Sequence, residues 1–263
     1  MTVEIRQQTD AESWNELVER SPQSTVYHRD EWLTTIEEYT DARLHRLAGY
    51  KGEEPVGILP LFELRKGPVR TVFSPPPDVG VEYLGPALLN HRKGTRRNRD
   101  TISSEFLGGC LEYVEETIAP QFTYLKTTYA FSDVRPFQWR GYDVSPKFTF
   151  VLDIERTAED LRAGFSRSLR RTLDGESEQS YDVGTGGKAA IEFVVREMRN
   201  RYEAQGKRFG LDASYVGTLY DRLPEGCLTP YACSVDGELV GGKVCVGTSE
   251  TMHAWLESGK PDI

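Results

Sequence analysis

The sequence predicts an α+β fold made of two tandem units, each with a mixed sheet and packed helices. Apolar residues alternate as in strands and then recur at helical spacing from residue 3 onward, and the same succession restarts at residue 147. The chain has 263 residues, of which 38% are hydrophobic and 28% charged, which fits one large domain or two small ones. We therefore expect residues 1–145 to form the first unit and residues 146–263 the second.

The first unit reads as a strand, two helices, a meander of strands, a helix and a last strand. Asp10 and Asp30 are placed to cap the two early helices. The predicted elements are a strand at 3–8, helices at 11–21 and 30–39, two strands within 43–67 around a charged turn at 51–54, strands at 69–74 and 81–89, a helix at 101–118 and a strand at 121–129.

The second unit begins with a strand at 147–154 and a helix at 157–174, which has Leu161, Phe165, Leu169 and Leu173 on one side. Its remaining predicted elements are helices at 189–205 and 212–223 and three strands within 230–258, the first two joined by an Asp-Gly turn. The sequence stops directly after a strand, so we expect the second unit to be incomplete and to leave strands unpaired.

The composition excludes several classes of protein. A formal charge of −9 opposes broad binding to nucleic acid or to anionic lipid. No run of 18 apolar residues occurs, and the N-terminus has no signal-peptide pattern, so we expect a cytoplasmic location. The four cysteines lack paired spacing, which indicates reduced core thiols and no zinc or other metal site; they are Cys110, Cys227, Cys233 and Cys245.

The sequence shows no GxSxG, HExxH or DxDxDG motif, so hydrolase and metalloenzyme functions lose their usual support. His253, near Trp255 on a predicted strand, is a weak candidate base, and a packed histidine is the favoured interpretation. Gly184-x-Gly186-x-x-Ala189 resembles a dinucleotide fingerprint, but no regular strand–helix–strand alternation surrounds it. We interpret it as a glycine-rich surface loop.

The helix at 157–174 carries the strongest local cluster of cations. Arg167 and Arg171 share an i, i+4 face, where like charges repel, and Arg170 lies beside them. A phosphate or carboxylate between them would relieve that repulsion. The alternative is a solvated basic face paired with nearby acids, which are Asp160, Asp174 and Glu176.

Two further basic segments have both a functional and a structural interpretation. Tyr202 and Lys207 lie at a helix end, where cations also complement the helix dipole. Residues 91–100 resemble an anion-binding turn before a helix, but Gly94 is their only glycine and long Arg side chains fill the rest. A solvated loop is the favoured interpretation of that segment.

Several motifs in this order resemble the FemAB-like branch of the GNAT acyltransferase superfamily. They are the helix DEWLTTIEEY, the hairpin EEPVGILPLFELRKG, the run SPPPDVGVEYLGPAL, and WRGYDVSPKFTFVLDI followed by GFSRSLRRTL. The resemblance covers nearly the whole chain and implies two tandem GNAT-like units.

The resemblance also implies a reaction. Members of this family transfer an acyl group from acyl-coenzyme A, or an aminoacyl group from aminoacyl-tRNA in the peptidoglycan branch, onto an amine. The C-terminal unit usually carries the donor site. Such a transfer needs a deprotonated amine and hydrogen-bond donors for the oxyanion, and GNAT folds typically supply those donors from strand backbone N–H groups, without a metal.

The family's pyrophosphate motif is a Gln or Arg with two glycines after the fourth strand, and neither unit shows it intact. In the second unit it is expected just past Trp255, where only the last few residues follow. In the first unit His91 replaces the usual Gln or Arg, and Arg96 replaces the usual Gly or Ala. The basic helix with Arg170 and Arg171 and the helix end at Tyr202 do match the family pattern.

These observations predict an acyltransferase that moves an acyl group, most simply acetyl, from coenzyme A to a small amine or sugar-amine acceptor. Arg167, Arg170 and Arg171 are expected to bind an anion, and Tyr202 and Lys207 to orient the acceptor. Acetyl-coenzyme A is then a co-substrate, no permanent cofactor is expected, and the general base and the oligomeric state stay open. The alternatives are an aminoacyl-tRNA-dependent enzyme and a truncated protein that only binds a ligand or partner.

Overall fold

The structure is a computed structural model. It describes residues 2–89, 95–174 and 181–260 and contains a six-stranded and a four-stranded sheet. This arrangement confirms the predicted α+β class with two sheet-containing units, while the boundary expected at residue 145 stays a prediction.

The first sheet has the strand order β1-β2-β3-β4-β6, with β5 paired to β3. Its pairings are antiparallel except for the parallel pair of β4 and β6, which α3 connects. A 3-10 turn at Val26–His28 precedes α2, and a π turn at Val114–Ile118 extends α3. The elements are β1 (Glu4–Gln7), α1 (Ala11–Arg20), α2 (Asp30–Tyr39), β2 (Arg43–Lys51), β3 (Glu54–Lys66), β4 (Val69–Ser74), β5 (Ala87–Leu88), α3 (Arg96–Tyr113), β6 (Phe122–Leu125) and α4 (Arg135–Trp139).

The second sheet has the order β10-β9-β8-β7, and every pairing in its described strands is antiparallel. The elements of this part of the chain are α5 (Ala158–Ala163), α6 (Arg167–Leu173), β7 (Asp182–Thr185), α7 (Gly187–Ala204), α8 (Ala213–Arg222), β8 (Leu228–Val235), β9 (Glu238–Gly247) and β10 (Met252–Gly259).

One hydrophobic cluster joins the two sheets. It combines Trp14 and Trp32 from the first two helices with Val194 of α7, Leu219 of α8 and Val244 of β9, all fully buried. A second cluster lies on the other face of the first sheet, where Phe106 and Leu111 of α3 pack on strand residues such as Leu59. The first sheet is therefore covered on both faces, and its α1–α2 face shares a core with the second sheet.

The structure confirms one of the two predicted helix caps. Asp10 accepts a hydrogen bond from the backbone N–H of Ser13 at 2.7 Å, which confirms it as the cap of α1. Asp30 is not a cap, because it is the first residue of α2 and forms a largely buried ion pair with Arg46 of β2. The Asp30 carboxylate therefore binds an arginine of β2 and does not cap the helix.

Two predicted boundaries in the first unit differ from the structure. The helix expected from residue 101 begins at Arg96, because the Thr95 hydroxyl caps the N–H of Asn98 at 3.3 Å. The strand expected at 81–89 shrinks to Ala87–Leu88, since Pro86 and the left-handed Gly85 precede it. Residues 90–94, which include His91 and Gly94, lie outside the described residues.

The strand predicted at 147–154 is wrong. The segment pairs with no strand in the described part of the chain, and its apolar side chains are exposed. An alternating pattern forms a stable strand only when a neighbouring strand supplies hydrogen bonds, and none of the described strands pairs with this segment.

The single helix predicted at 157–174 is also wrong. It is divided into α5 and α6, because Gly164 is the C-cap of α5 and the Ser166 hydroxyl caps the N–H of Leu169 at 3.2 Å to begin α6. No described residue of either helix is buried, so the apolar side that was predicted to pack is open to solvent.

Candidate active site

Aromatic side chains of the first unit meet those of strand β10 where the two units join. Tyr27 packs edge-on against Trp32 with ring centroids 4.7 Å apart, and Trp32 packs against Trp255 of β10 at 5.1 Å. His253 of β10 lies 5.4 Å from Tyr27 and 5.7 Å from Tyr83 by ring centroids. Strand β10 therefore presents its histidine and tryptophan to the first unit.

The loop that carries Tyr83 is fixed by its backbone. Gly80 has a φ of 68°, and a Cβ built there would lie 2.8 Å from Leu211 and 3.3 Å from Trp255, so this contact requires glycine. The Gly80 carbonyl accepts the indole N–H of Trp255 at 2.5 Å, and the Val79 carbonyl accepts the hydroxyl of Tyr215 at 3.2 Å. These bonds dock the loop on the second unit.

His253 and Tyr83 form a hydrogen-bonded pair across this junction. The Tyr83 hydroxyl and His253 Nδ1 are 3.0 Å apart. His253 Nε2 is buried and makes no hydrogen bond within the described part of the chain. Tyr83 is half-buried, and its ring meets the half-exposed Tyr129 at 6.3 Å. The pair thus runs from the protein interior toward solvent.

Burial sets the resting protonation states of the pair. Burial lowers the pKa of His253 below its ordinary value of 6.5, so the imidazole is neutral at pH 7. Burial raises the pKa of Tyr83 to about 12, with a smaller contribution from Tyr129, so its phenol stays protonated. A neutral imidazole beside a phenol can accept a proton through it.

Strand β10 is irregular beside this pair. The pairing register with β9 shifts between Ala254 and Leu256, which leaves Trp255 as an extra residue. Such bulges redirect backbone groups and occur frequently next to active sites. Because β10 is also an edge strand of the described sheet, its outer backbone groups face no further strand there.

Two other histidines have structural roles. His28 is fully buried, receives the N–H of Thr25 at Nδ1 and places Nε2 3.3 Å from the Gly85 carbonyl oxygen. His45 lies between the Glu63 carboxylate and the Tyr113 hydroxyl, each at 3.2 Å. Burial lowers both pKa values, and that of His28 falls to about 4.

Arg167, Arg170 and Arg171 lie together on α6, as predicted. Arg167 and Arg171 are exposed, and Arg170 is partly buried. Of the expected acid partners, Asp174 pairs with Arg162, and Asp160 accepts a hydrogen bond from the Thr157 hydroxyl. Glu176 lies outside the described residues.

Tyr202 and Lys207 lie at the end of α7. The Tyr202 ring meets Phe209 with centroids 5.2 Å apart, and Lys207 Nζ binds Gln205 at 3.3 Å. The neighbouring Arg201 donates to the Glu257 carbonyl of β10 at 3.2 Å, so this helix end adjoins the candidate strand. Within the described residues, no side-chain hydrogen bond or ion pair joins Arg167 or Arg170 to this helix end.

Sequence reasoning did not single out Tyr83, which lies within the run SPPPDVGVEYLGPAL but has no catalytic motif around it. The signal that would have pointed to it is tertiary: residues 79–83 of the first unit dock on His253 and Trp255 of the second. Pairing across 170 residues of sequence leaves no local pattern.

Open clefts of about 660 and 700 Å³ lie at the start of α3, and both are lined by Arg96, Asp100, Asp133 and Arg135. Arg135 is already held by Asp133 through two hydrogen bonds of 2.7 Å. In the described residues no group of His, Cys, Asp and Glu is arranged to hold a metal, and no helix is both long and apolar enough to cross a membrane.

Comparisons with known proteins concern the fold and the second part of the chain. Residues 159–263 match the family model described as an acetyltransferase (GNAT) domain. The matched residues include His253 and the whole second sheet, so this part of the chain is similar to a GNAT acetyltransferase domain.

The structure is also similar to that of FemX. The match covers 89% of this chain and 58% of FemX, with 16% identity and a TM-score of 0.60. The chain thus spans less than two thirds of the length of FemX and shares its tandem fold. The predicted resemblance to the FemAB-like branch of the GNAT superfamily is thus confirmed for the fold.

A ribosomal-protein-alanine N-acetyltransferase from Brucella melitensis biovar Abortus 2308 matches 58% of this chain and 99% of its own length. Its identity is 14% and its TM-score 0.32, which is too low to support an argument. No curated protein matches the sequence significantly.

Proposed function

We propose that this protein is a cytoplasmic N-acyltransferase that moves an acyl group, most simply acetyl, from acyl-coenzyme A to a small amine or sugar-amine. The observation that carries the proposal is the hydrogen-bonded pair of Tyr83, in a loop of the first unit, and His253, on the edge strand β10 of the matched domain, 3.0 Å apart. It supplies the proton acceptor that the sequence left unnamed.

The chemistry follows from that pair. The amine nitrogen attacks the thioester carbonyl carbon, the new C–N bond forms, and the C–S bond breaks to release coenzyme A as its thiol. The amine gives its proton to the Tyr83 oxygen while the Tyr83 proton moves to His253 Nδ1, and the thiolate leaves with one proton from solvent or from this relay. Backbone N–H groups at the Trp255 bulge are our candidates to stabilise the oxyanion.

The charged residues complete the proposal. Arg167, Arg170 and Arg171 are assigned to an anionic part of the donor, because three guanidinium groups on one short helix suit phosphate oxygens. Tyr202 and Lys207 are assigned to the acceptor, because the end of α7 adjoins β10 through Arg201 and Glu257.

A second candidate is transfer of an aminoacyl group from aminoacyl-tRNA. The observation that favours it is the tandem fold shared with FemX, since the peptidoglycan branch of the family resembled here uses that donor. The charge of −9 opposes a large tRNA footprint, so acyl-coenzyme A is the first choice.

Ligand binding separates the donors. Acetyl-coenzyme A at about 100 times its dissociation constant should stabilise the protein by roughly 2.7 kcal/mol in a thermal-shift assay. ADP at the same concentration controls for anion binding alone. A shift with aminoacyl-tRNA and none with millimolar acetyl-coenzyme A supports the second candidate, and no shift with either supports a protein without catalytic activity.

A further inference from the structure

The solvent side of the Tyr83–His253 pair is a corner made of two tyrosine rings. The ring of Tyr129 lies 6.3 Å from that of Tyr83 by centroids, and the two ring planes are 79° apart. Tyr129 is 50% exposed, whereas Tyr27, which also meets the Tyr83 ring, is 2% exposed. Two aromatic faces at nearly a right angle, one of them open to solvent, can contact a ligand group from two directions.

Main-chain bonds hold this corner together. The Leu84 N–H donates to the Lys126 carbonyl at 2.9 Å, and Leu84 forms a parallel bridge with Thr127. Tyr83 directly precedes Leu84, and Tyr129 lies two residues after Thr127. The two rings are therefore fixed relative to each other through the backbone that carries them.

The charges around the corner are negative. Burial raises the pKa values of Tyr83 and Tyr27, and neighbouring tyrosines and the carboxylate of Glu82 raise them further. Glu82 is exposed and directly precedes Tyr83. Within the described part of the chain, Glu82 is the one ionised side chain that contributes to either shift, and burial keeps His253 neutral. This surrounding favours a positively charged ligand group over a negative one.

The aromatic faces have the same preference as the carboxylate. The face of a tyrosine ring carries the negative part of its quadrupole and attracts a cation that lies within about 6 Å of the ring centroid. An alkylamine with a pKa of about 10.4, the value of a lysine side chain, is an ammonium ion at pH 7. A carboxylate beside two ring faces thus matches the charged form in which an amine arrives.

From this geometry we infer that Tyr129, Tyr83 and Glu82 form the subsite for the positively charged nitrogen of the acceptor. The inference rests on the proposed function and names the charge state in which the acceptor binds. The ammonium loses one proton to solvent at the open side of the corner before it attacks. It loses the second proton through Tyr83 once the C–N bond forms. Tyr202 and Lys207 are left to bind the rest of the acceptor.

Binding of choline tests the subsite without any acyl transfer. Choline carries a permanent positive charge, and dimethylbutanol has the same shape with carbon in place of nitrogen. Isothermal titration calorimetry of the full chain at pH 7, without acyl-coenzyme A, should give choline a dissociation constant about tenfold lower than that of dimethylbutanol.

Two substitutions of Tyr129 separate the ring from its bulk. Tyr129→Leu keeps an apolar side chain but removes the aromatic face, so choline binding should weaken about fivefold. Tyr129→Phe keeps the face and should bind choline within about twofold of the wild type. Because the side chain is half-exposed, both variants should fold, which circular dichroism verifies.

A substitution of Glu82 isolates the charge. Glu82→Gln should weaken choline binding about fivefold at low ionic strength and by less in about 0.5 M salt, because salt screens exposed charges. It should leave the binding of the neutral dimethylbutanol unchanged.

Matched controls come from other surfaces of the chain. Tyr220→Leu removes a tyrosine of α8 that is 36% exposed, and Glu12→Gln removes an exposed carboxylate of α1. Both variants should bind choline as the wild type does.

Equal affinities for choline and dimethylbutanol overturn the inference, as does no measurable binding of choline. Equal losses in Tyr129→Leu and Tyr220→Leu, or in Glu82→Gln and Glu12→Gln, also overturn it. An assay of acetyl transfer from acetyl-coenzyme A to glucosamine distinguishes this failure from that of the proposed function. Acetyl transfer without a preference for choline contradicts the subsite alone, whereas the expected choline binding without acetyl transfer contradicts the proposed function and leaves a cation-binding site.

Discussion

Helices cover the two sheets to different extents, although similar patterns of apolar residues predict both units. The first sheet has α3 on one face and α1 and α2 on the other. The second has α7 and α8 on one face, while Val183 of β7 and Met252 of β10 are 67% and 53% exposed. The helices that precede it, α5 and α6, bury no described residue.

The difference shows what an apolar pattern requires to become packed structure. In the first unit α3 returns the chain to the sheet and delivers β6 to the edge of β4. In the second, the alternating segment 147–154 and the apolar side of α6 have no packing partner in the described part of the chain. An apolar pattern indicates which face of a segment can be buried, but that face is buried only where a neighbouring element packs on it.

The largest effect is expected where the two regions share their core. Trp32 is fully buried and touches both Tyr27 and Trp255, so Trp32→Ala should lower the free energy of unfolding by about 3–5 kcal/mol. Because the cluster spans both sheets, we expect one denaturant-unfolding transition. Its midpoint should be the same by circular dichroism and by tryptophan fluorescence, and Trp32→Ala should lower both equally. Separate transitions would show that the sheets unfold independently and would break the comparison.

The second-largest expected effect is a pH dependence of the free energy of unfolding, which arises from His28 in the first unit. His28 is neutral in the folded state because burial lowers its pKa to about 4, whereas the unfolded chain takes up a proton below the ordinary value of 6.5. Stability from this group is complete above pH 6.5 and is lost as the pH falls toward 4. Between pH 7 and pH 5 the free energy of unfolding should fall by about 2 kcal/mol.

Urea unfolding at the two pH values measures this loss. His28→Gln serves as the reference variant, and its free energy of unfolding should lose this part of the pH dependence. An unchanged pH dependence in His28→Gln would assign the effect to other groups.

The smallest effect is expected in the uncovered region. Leu169→Ser on α6 should change the free energy of unfolding by less than about 0.5 kcal/mol, since Leu169 is 43% exposed. Leu33→Ser on α2 is the matched control, because Leu33 is fully buried and should cost several times more. Equal losses in the two variants would mean that α6 packs as tightly as α2.

The sequence predicted most of the elements that form local contacts. Helices α1, α7 and α8 and the hairpin of β2 and β3 have clear apolar periods, and their ends are set by nearby residues such as Asp10. The predictions at 147–154 and 157–174 failed because periodicity carries no information about the partner surface. Ser166 adds a cap that ends the predicted helix early.

The candidate site was harder to predict than the fold. His253 was visible as a histidine on a strand, but its hydrogen bond to Tyr83 and its burial exist only after the two units dock. The basic residues Arg167, Arg170 and Arg171 were prominent in the sequence because charge clusters are local. Their role in binding an anion stays a prediction.

The most direct test of the account is the steady-state rate of acetyl-coenzyme A-dependent acylation in wild type, His253→Gln, Tyr83→Phe and the double variant. We predict that each single change lowers kcat by about 100-fold and that the double variant loses no more than the worse single one, because the two groups move one proton together. Met252→Gln, next to His253 but 53% exposed, should keep the wild-type rate. Wild-type activity in His253→Gln, or losses that multiply in the double variant, would contradict the proposed relay.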